Sequence, residues 1–144
     1  MKTLTEENRI DIVRYRIENA KKTLAEVELH KENGFYNTAV NRMYYACYYA
    51  ASALLIAYGI ETKSHDGVRQ QLGKQMVLTG KLSAELGKFY SQLFFKRTSA
   101  DYEDFIDQTL ETVDNLLPDA YLFVRTIEKI VDEWLMMNNA ANSQ

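Results

Sequence analysis

The feature that most constrains this sequence is the run from Asn41 to Leu55, NRMYYACYYAASALL. It sets four tyrosines and one arginine among mostly small or apolar residues, and it contains neither glycine nor proline. A helix of this composition is apolar on nearly every side, so several neighbours must bury it. Its hydroxyl and guanidinium groups then need partners, because unpaired buried polar groups are costly. The run therefore predicts either a polar seam inside a helical bundle or one wall of a site.

The spacing of apolar residues elsewhere in the chain favours helices and no strands. Asn33-Gly34 and Gly59 are helix stop signals, and Ser64 is a good N-cap for a helix of about 12 residues that Thr79-Gly80 closes. Pro118 lies inside the last helix and should kink or divide it near Leu117. The sequence thus predicts an all-α domain over residues 1–137 with a flexible tail over 138–144, its helices covering 6–33, 36–58, a segment after 64, 82–96 and 105–137.

Charge is unevenly spread along a chain whose formal net charge is −3. Residues 34–100 hold eight basic and three acidic side chains, whereas residues 101–144 hold two basic and ten acidic ones. An acidic chain with a basic middle is not typical of a general nucleic-acid binder, and we predict no DNA ligand. The basic middle can still attract a phosphate locally. Alternatively, the two segments neutralise each other in the fold.

The sequence also bears on the compartment. Its single cysteine, Cys47, lies inside the apolar run, so no internal disulfide can form, and we predict a small buried hydrophobe there. The N-terminus has no signal-peptide pattern. The longest apolar stretch, residues 43–58, is shorter than the roughly 20 residues that span a bilayer. We therefore predict a cytoplasmic protein without a membrane segment.

Few residue patterns in the chain carry chemistry. We find no metal-ligand spacing, phosphate-binding glycine loop or nucleophilic triad, and we predict neither a metal nor a cofactor. On the second helix Arg42, Tyr45 and Tyr49 share a face, and Arg97 and Asp101 would adjoin as an i, i+4 pair. The alternative is an ordinary helix ion pair beside tyrosines that belong to the core.

Several short motifs follow one another in order along the chain. They are Asn41-Arg42-x-Tyr44-Tyr45-Ala46, Ala53-Leu54-Leu55, Gly59-Ile60, Lys63-x-His65-x-Gly67-Val68 and Arg97-x-x-x-Asp101-Tyr102. Together they resemble the HEPN domain (higher eukaryotes and prokaryotes nucleotide-binding), closest to its prokaryotic branch, over residues 8–134. The resemblance implies an up-and-down helical bundle that forms a homodimer. It also implies a minimal nucleotidyltransferase as partner, in a toxin–antitoxin-like system.

The resemblance further implies a site. Many HEPN proteins are metal-independent ribonucleases whose motif is an arginine, four to six residues and then a histidine. Arg97 matches the arginine, but positions 102–104 hold Tyr102, Glu103 and Asp104. Tyrosine and aspartate have pKa values poorly matched to proton transfer at neutral pH, whereas histidine is well matched. The sequence departs from the family pattern at this point.

The predicted site has two parts. Arg97, Asp101 and Tyr102 are the candidate catalytic residues, and Arg42, Tyr45 and His65 are the candidate nucleotide- or phosphate-binding residues. Arg97 and Arg42 would face a phosphate, because guanidinium groups bind phosphate well. Asp101 would orient an arginine or accept a sugar hydroxyl. Tyr102 and Tyr45 would stack on a base.

Three hypotheses compete for the function. The first is a module that binds a nucleotide or an RNA phosphate and pairs with a nucleotidyltransferase. The second is a metal-independent endoribonuclease toxin that uses Arg97 and Asp101. The third is a structural helical dimer without a ligand. By family analogy, Tyr102 is also a candidate for adenylylation by the paired enzyme.

Overall fold

The computed structural model describes the backbone of residues 5–102 and 107–142, and the side chains of residues 5–97 and 107–138. Within these ranges the secondary structure is entirely helical, as the apolar spacing predicts. The elements, in chain order, are α1 (Glu6–Glu32), α2 (Tyr36–Ala57), α3 (His65–Gln71), a π-helix (Leu72–Val77), α4 (Ala84–Tyr102) and α5 (Leu110–Asn142). The prediction of an all-α bundle is confirmed.

Helix α1 and helix α2 form the first hairpin of the bundle. The Thr5 hydroxyl caps α1 by accepting a hydrogen bond from the backbone N–H of Asn8 at 3.2 Å. Gly34 ends the helix with a φ of +77°, a backbone conformation that glycine adopts without strain. The backbone N–H of Phe35 then donates to the His30 carbonyl at 2.9 Å, which closes the turn. The predicted stop at Asn33-Gly34 is confirmed.

Helix α2 lies at the centre of the bundle. It packs most extensively on α1, next on α5, and its remaining side contacts α3 and α4. The exposed fraction of its alanines at positions 39, 46, 50, 51, 53 and 57 is 1 % or less, which lets neighbouring helices approach closely. The buried Ser52 hydroxyl is satisfied by the Arg16 side chain, whose terminal nitrogen lies 3.0 Å away. A helix buried on several sides is what the composition of the run predicts.

The segment after α2 differs from its prediction. Ser64 caps α3 as expected, since its hydroxyl accepts the backbone N–H of Gly67 at 2.9 Å. The helix does not continue as one α-helix, however, but changes at Leu72 into a six-residue π-helix. An apolar pattern alone does not separate the two helix types over so short a segment. Leu72 and Met76 are buried and fix this segment to the core.

Helix α5 closes the bundle. It starts at Leu110 rather than near Phe105, and the Thr109 hydroxyl caps it by accepting the N–H of Thr112 at 3.1 Å. The backbone N–H of Gln108 donates to the side chain of Asn37 at 2.7 Å, which ties the preceding segment to α2. The predicted start is therefore wrong.

The later part of α5 bears on two further expectations. The helix runs through Pro118 without a break, so the proline does not divide it. A bend at that position stays a prediction. The helix also continues into the segment predicted as a flexible tail and ends at Asn142. Within the ranges given above, none of the helices is both long and apolar enough to cross a membrane.

Candidate functional site

The candidate site lies where α2 meets α3 and α4, and tyrosines of α2 form its wall. Tyr44 is fully buried, whereas Tyr45, Tyr48 and Tyr49 are half-buried. The rings contact one another: Tyr44 stacks on Tyr48 with centroids 6.2 Å apart, and it meets Tyr45 edge-on at 5.4 Å. Successive helix positions thus present a continuous aromatic surface.

Arg97, near the described end of α4, lies on this wall. Its terminal nitrogen donates to the Tyr45 hydroxyl at 3.0 Å. Its guanidinium carbon lies 5.3 Å from the centre of the Tyr44 ring and 5.2 Å from that of Tyr45, which is cation–π distance. The side chain is half-buried. The tyrosines therefore hold a permanent positive charge at a defined place on this wall.

His65, the first residue of α3, is held against the same wall. Its Nδ1 atom lies 2.8 Å from the Tyr44 hydroxyl, and its ring stacks on Tyr48 with centroids 4.0 Å apart. Either atom of the Tyr44–His65 pair can donate, depending on the tautomer. Burial, and then the charge of Arg97, hold the pKa of His65 below its usual 6.5. The imidazole is therefore mainly neutral at pH 7.

Arg42 approaches Tyr45 from another direction. Its guanidinium carbon lies 5.4 Å from the centre of that ring. Its Nε atom is 3.9 Å from a carboxylate oxygen of Glu26 on α1, a distance too long for a good hydrogen bond. The ring of Tyr45 thus contacts both guanidinium groups, so the candidate site has two cations about one aromatic residue.

Two buried groups near the wall are not suited to acid–base chemistry. Desolvation raises the pKa of Tyr44 to about 12, so its hydroxyl stays protonated and serves as a hydrogen-bonding group. Burial raises the pKa of the Cys47 thiol well above its usual range, which leaves it an inert apolar side chain. Cys47 is fully buried, as the sequence predicts.

The structure brings together four of the six residues that the sequence singled out: Arg42, Tyr45, His65 and Arg97. Asp101 and Tyr102 belong to the last turn of α4, but their side chains lie outside the described residues. Their roles stay predictions.

Sequence reasoning missed Tyr44 and Tyr48 as members of the site. The i, i+4 spacing of the two tyrosines was a signal that they share a face, but only the position of α3 shows that His65 covers it.

The arrangement of these side chains suits an anionic ligand. A guanidinium offers several N–H donors in one plane, which matches phosphate oxygens. Tyrosine hydroxyls and a neutral imidazole add groups that can donate or accept hydrogen bonds. Among the side chains that the structure describes, no group of three or more His, Cys, Asp or Glu residues is placed to hold a metal ion.

Known proteins resemble this chain over most of its length. The HEPN domain profile matches residues 13–130. The UPF0332 protein of Thermotoga maritima is 36% identical over 122 residues, which cover 85% of this chain and 92% of that protein.

Two proteins of Methanocaldococcus jannaschii that are provisionally named toxins are also similar. One is 33% identical over 78% of this chain and 77% of its own length. The other is 30% identical over 94% of this chain and 100% of its own length. The chain belongs to the HEPN domain family.

Proposed function

We propose that this protein is a toxin-like HEPN protein that binds an RNA strand through a phosphate at Arg97. The observation that carries the proposal is the half-buried guanidinium of Arg97, which the Tyr45 hydroxyl and the rings of Tyr44 and Tyr45 hold at a fixed place on the tyrosine wall. Two similar proteins provisionally named toxins support the toxin-like part. Such a ligand is met in the cytoplasm, where we expect the protein to act.

A preorganised arginine favours binding for a physical reason. A long side chain that must be immobilised on binding loses rotamer freedom, which costs about 0.5–1.5 kcal/mol. Arg97 has already lost part of that freedom, because its guanidinium rests on two rings. The Arg42 guanidinium beside Tyr45 supplies a second cation for the same anion.

Fluorescence anisotropy with a labelled single-stranded RNA tests the proposal. We expect Arg97→Met to weaken binding about 10-fold to 100-fold, since a hydrogen bond to a charged group contributes about 1.5–3 kcal/mol. Lys88→Met is the matched control, because Lys88 is an exposed cation of the same helix and is not one of the candidate site residues. Equal losses in the two variants would indicate only general charge attraction. Unchanged binding in Arg97→Met would favour the structural-dimer hypothesis.

The homodimer and the nucleotidyltransferase partner are finer parts of the proposal and rest on the family resemblance. Light scattering coupled to size-exclusion chromatography measures the mass in solution, and a mass of one chain at micromolar concentration would contradict the dimer. Intact-mass analysis after co-expression with a nucleotidyltransferase from a neighbouring gene tests the modification of Tyr102. Absence of an adenylyl adduct would count against that role.

RNA cleavage is a second candidate function, and the position of His65 favours it. In this proposal His65 of α3 takes the part of the histidine that the Arg97 motif lacks, since its ring stacks on Tyr48 and since burial, and then the charge of Arg97, lower its pKa. In the tautomer whose Nδ1–H donates to Tyr44, the Nε2 atom carries a lone pair. No described residue is a hydrogen-bond partner of Nε2. A neutral imidazole beside a cation is suited to general-base catalysis at a phosphodiester.

The reaction would follow the usual metal-independent course. His65 takes the proton of a ribose 2′-hydroxyl, and the 2′-oxygen forms a bond to the adjacent phosphorus. The bond between phosphorus and the 5′-oxygen breaks, water protonates the leaving oxygen, and the proton on His65 passes to solvent. The products are a 2′,3′-cyclic phosphate and a 5′-hydroxyl, while Arg97 stabilises the charge on the phosphoryl oxygens.

Incubation of the purified protein with RNA in EDTA separates binding from cleavage. We expect cleavage by the wild type, and loss of it in His65→Asn and Arg97→Met. His30→Asn is the matched control, since His30 is the other histidine of the chain and lies at the end of α1. A substrate with 2′-deoxyribose at the cut site should resist. Cleavage that persists in His65→Asn would exclude His65 as the base, and no cleavage by the wild type would leave the binding function alone.

A further inference from the structure

A second aromatic and basic cluster lies between α3 and α4, beside the tyrosine wall that carries Arg97. It consists of Asp66, Arg69, Phe94 and Phe95. Phe95 is 53% exposed, whereas its neighbour Phe94 is almost buried. Single exposed apolar residues are common on protein surfaces, so exposure alone means little. What distinguishes Phe95 is the fixed support behind its ring and its position next to the phosphate site.

Arg69 is the support. Its guanidinium carbon lies 5.0 Å from the centre of the Phe95 ring and 5.4 Å from that of Phe94. Asp66 fixes the guanidinium, because one carboxylate oxygen accepts from Nε at 2.9 Å and lies 2.8 Å from a terminal nitrogen. The other oxygen accepts from Gln70 at 2.6 Å. Asp66 thus holds the Arg69 guanidinium in place, and the Phe95 ring packs against this guanidinium.

The cluster is continuous with the phosphate site. His65 and Arg69 are an i, i+4 pair on α3, so they share a face with Cβ atoms about 5–6 Å apart. On α4, the Phe94 ring contacts Tyr44 at 6.2 Å, and Tyr44 in turn carries the guanidinium of Arg97. Phe95 and Arg97 are two positions apart on α4, so about 200° of helix surface separates their side chains, and the exposed Lys96 lies on that surface between them. A strand bound at Arg97 can reach Phe95 by following this exposed surface past Lys96.

Charge on the described part of α4 also favours a polyanion over an apolar partner. Lys96 is exposed and stands between Phe95 and Arg97 in the sequence. Glu85, near the helix start, is the sole acidic side chain over residues 84–97. Aromatic rings beside cations are the usual combination for binding single-stranded nucleic acids, because bases stack on the rings while cations follow the backbone.

We propose that Phe95, supported by Arg69, is a stacking platform for an unpaired base of the RNA strand whose phosphate lies at Arg97. The inference rests on the proposed RNA-binding function and narrows its ligand. The site takes single-stranded RNA, because a base inside a duplex has no free face to stack on a side chain.

Three labelled probes test the platform by fluorescence anisotropy: a single-stranded RNA, the same strand in a duplex, and the same strand with abasic sites. We expect Phe95→Ala to weaken binding of the single strand about fivefold to hundredfold, the range for loss of one base stack on an aromatic ring. Binding of the duplex and of the abasic strand should not change. Phe95→Trp should keep the affinity, whereas Phe95→Leu, apolar without a flat face, should lose it.

Two controls make the outcome decisive. Phe35→Ala removes another exposed phenylalanine, 60% exposed at the start of α2 and outside the cluster, and should leave binding unchanged. Full affinity in Phe95→Ala, or in Phe95→Leu, would overturn the platform. So would a change of mass in Phe95→Ala by light scattering, since Phe95 would then be a contact between protein chains. Failure of the wild type to bind any probe would instead overturn the proposed function.

Discussion

The two parts of α4 show how one helix serves both the core and a site. Over residues 84–93 the helix faces α5, where Tyr90 stacks on Phe123 with centroids 5.4 Å apart. Over residues 94–97 it faces α2 and α3, where Arg97 meets the Tyr45 hydroxyl and Phe95 is exposed. Aromatic residues occur in both parts, but residues 94–97 also hold the adjacent cations Lys96 and Arg97. The neighbours differ too, since α5 offers the apolar ring of Phe123 whereas α2 and α3 offer polar side chains.

Two tyrosines make the contrast sharper. Tyr44 and Tyr90 are both fully buried, and their ring centres are 6.1 Å apart. The Tyr44 hydroxyl pairs with His65, whereas the Tyr90 hydroxyl has no hydrogen-bond partner in the described part of the chain. Burial chiefly, and then the neighbouring Tyr44, raise the pKa of Tyr90 well above its usual 10. Tyr90 therefore contributes packing, and Tyr44 positions another residue.

The largest expected effect is on the free energy of unfolding, and it should distinguish the core part of α4, residues 84–93, from the site part, residues 94–97. Phe123→Ala removes the fully buried ring against which Phe89 and Tyr90 pack, and it should lower the free energy of unfolding by about 3–5 kcal/mol. Phe95→Ala should change it by about 0.5 kcal/mol or less, as is usual for surface positions. Urea denaturation measures both values. A loss above 2 kcal/mol in Phe95→Ala would mean that the site part of α4 is also core.

A smaller effect is expected at Gly87, in the core part of α4. A Cβ atom at this position would lie 2.6 Å from a methyl carbon of Val77 in the π-helix. Gly87→Ala should therefore cost about 1–3 kcal/mol from overpacking, although alanine is the better helix former. The double variant with Val77→Ala should recover part of the loss. Additive losses in a double-mutant cycle, measured by denaturation, would show that the two residues do not meet.

The third prediction compares the removal of the Tyr90 hydroxyl with the removal of the Tyr44 hydroxyl. Tyr90→Phe removes a buried hydroxyl that lacks a partner and should raise the free energy of unfolding by about 1 kcal/mol. Tyr44→Phe breaks the contact with His65 and should lower it by about 0.5–1.5 kcal/mol. Chemical denaturation measures the sign of each change in the free energy of unfolding. NMR of the His65 ring tests the contact with Tyr44 independently. The His65 resonances should shift in Tyr44→Phe and remain unchanged in Tyr90→Phe. Equal shifts in the two variants would contradict the different roles of the two hydroxyls.

The smallest effect concerns pH and His65. Its pKa in the folded protein lies below 6.5, chiefly because burial disfavours the charged ring. As pH falls through 6.5, the unfolded chain therefore takes up a proton before folded His65 does, and stability falls; above pH 6.5 this contribution is constant. From pH 7.5 to 5.5, the wild type should lose more stability than His65→Asn. A parallel loss in both proteins would contradict the lowered pKa.

Much of the fold is predictable because its signals are local. The Thr5 and Ser64 caps and the glycine stops depend on residues three to five positions apart. The start of α5 was missed because Thr109 and the contact of Gln108 with Asn37 fix it, and that contact joins segments far apart in the chain. The change to a π-helix at Leu72 was missed as well, because it leaves little trace in the apolar pattern.

The candidate site was predictable only in part. The family resemblance, together with the residue types of Arg42, Tyr45 and Arg97, indicated a phosphate-binding site, since guanidinium and aromatic groups serve that chemistry. The contact between His65 and Tyr44 was not predictable, because 21 positions separate the two residues. Likewise, the support of Phe95 by Arg69 depends on how α3 lies on α4.

The sequence by itself determined that the run from Asn41 to Leu55 forms a buried helix, because its composition allows little exposed surface. It also determined that the hydroxyl and guanidinium groups of that helix require partners. The tertiary structure alone decided which partners they have. By bringing α3 and α4 against α2, it placed His65 and Arg97 on the tyrosine wall. Helical periodicity fixes which side chains share a face, whereas the packing of distant helices fixes what that face meets.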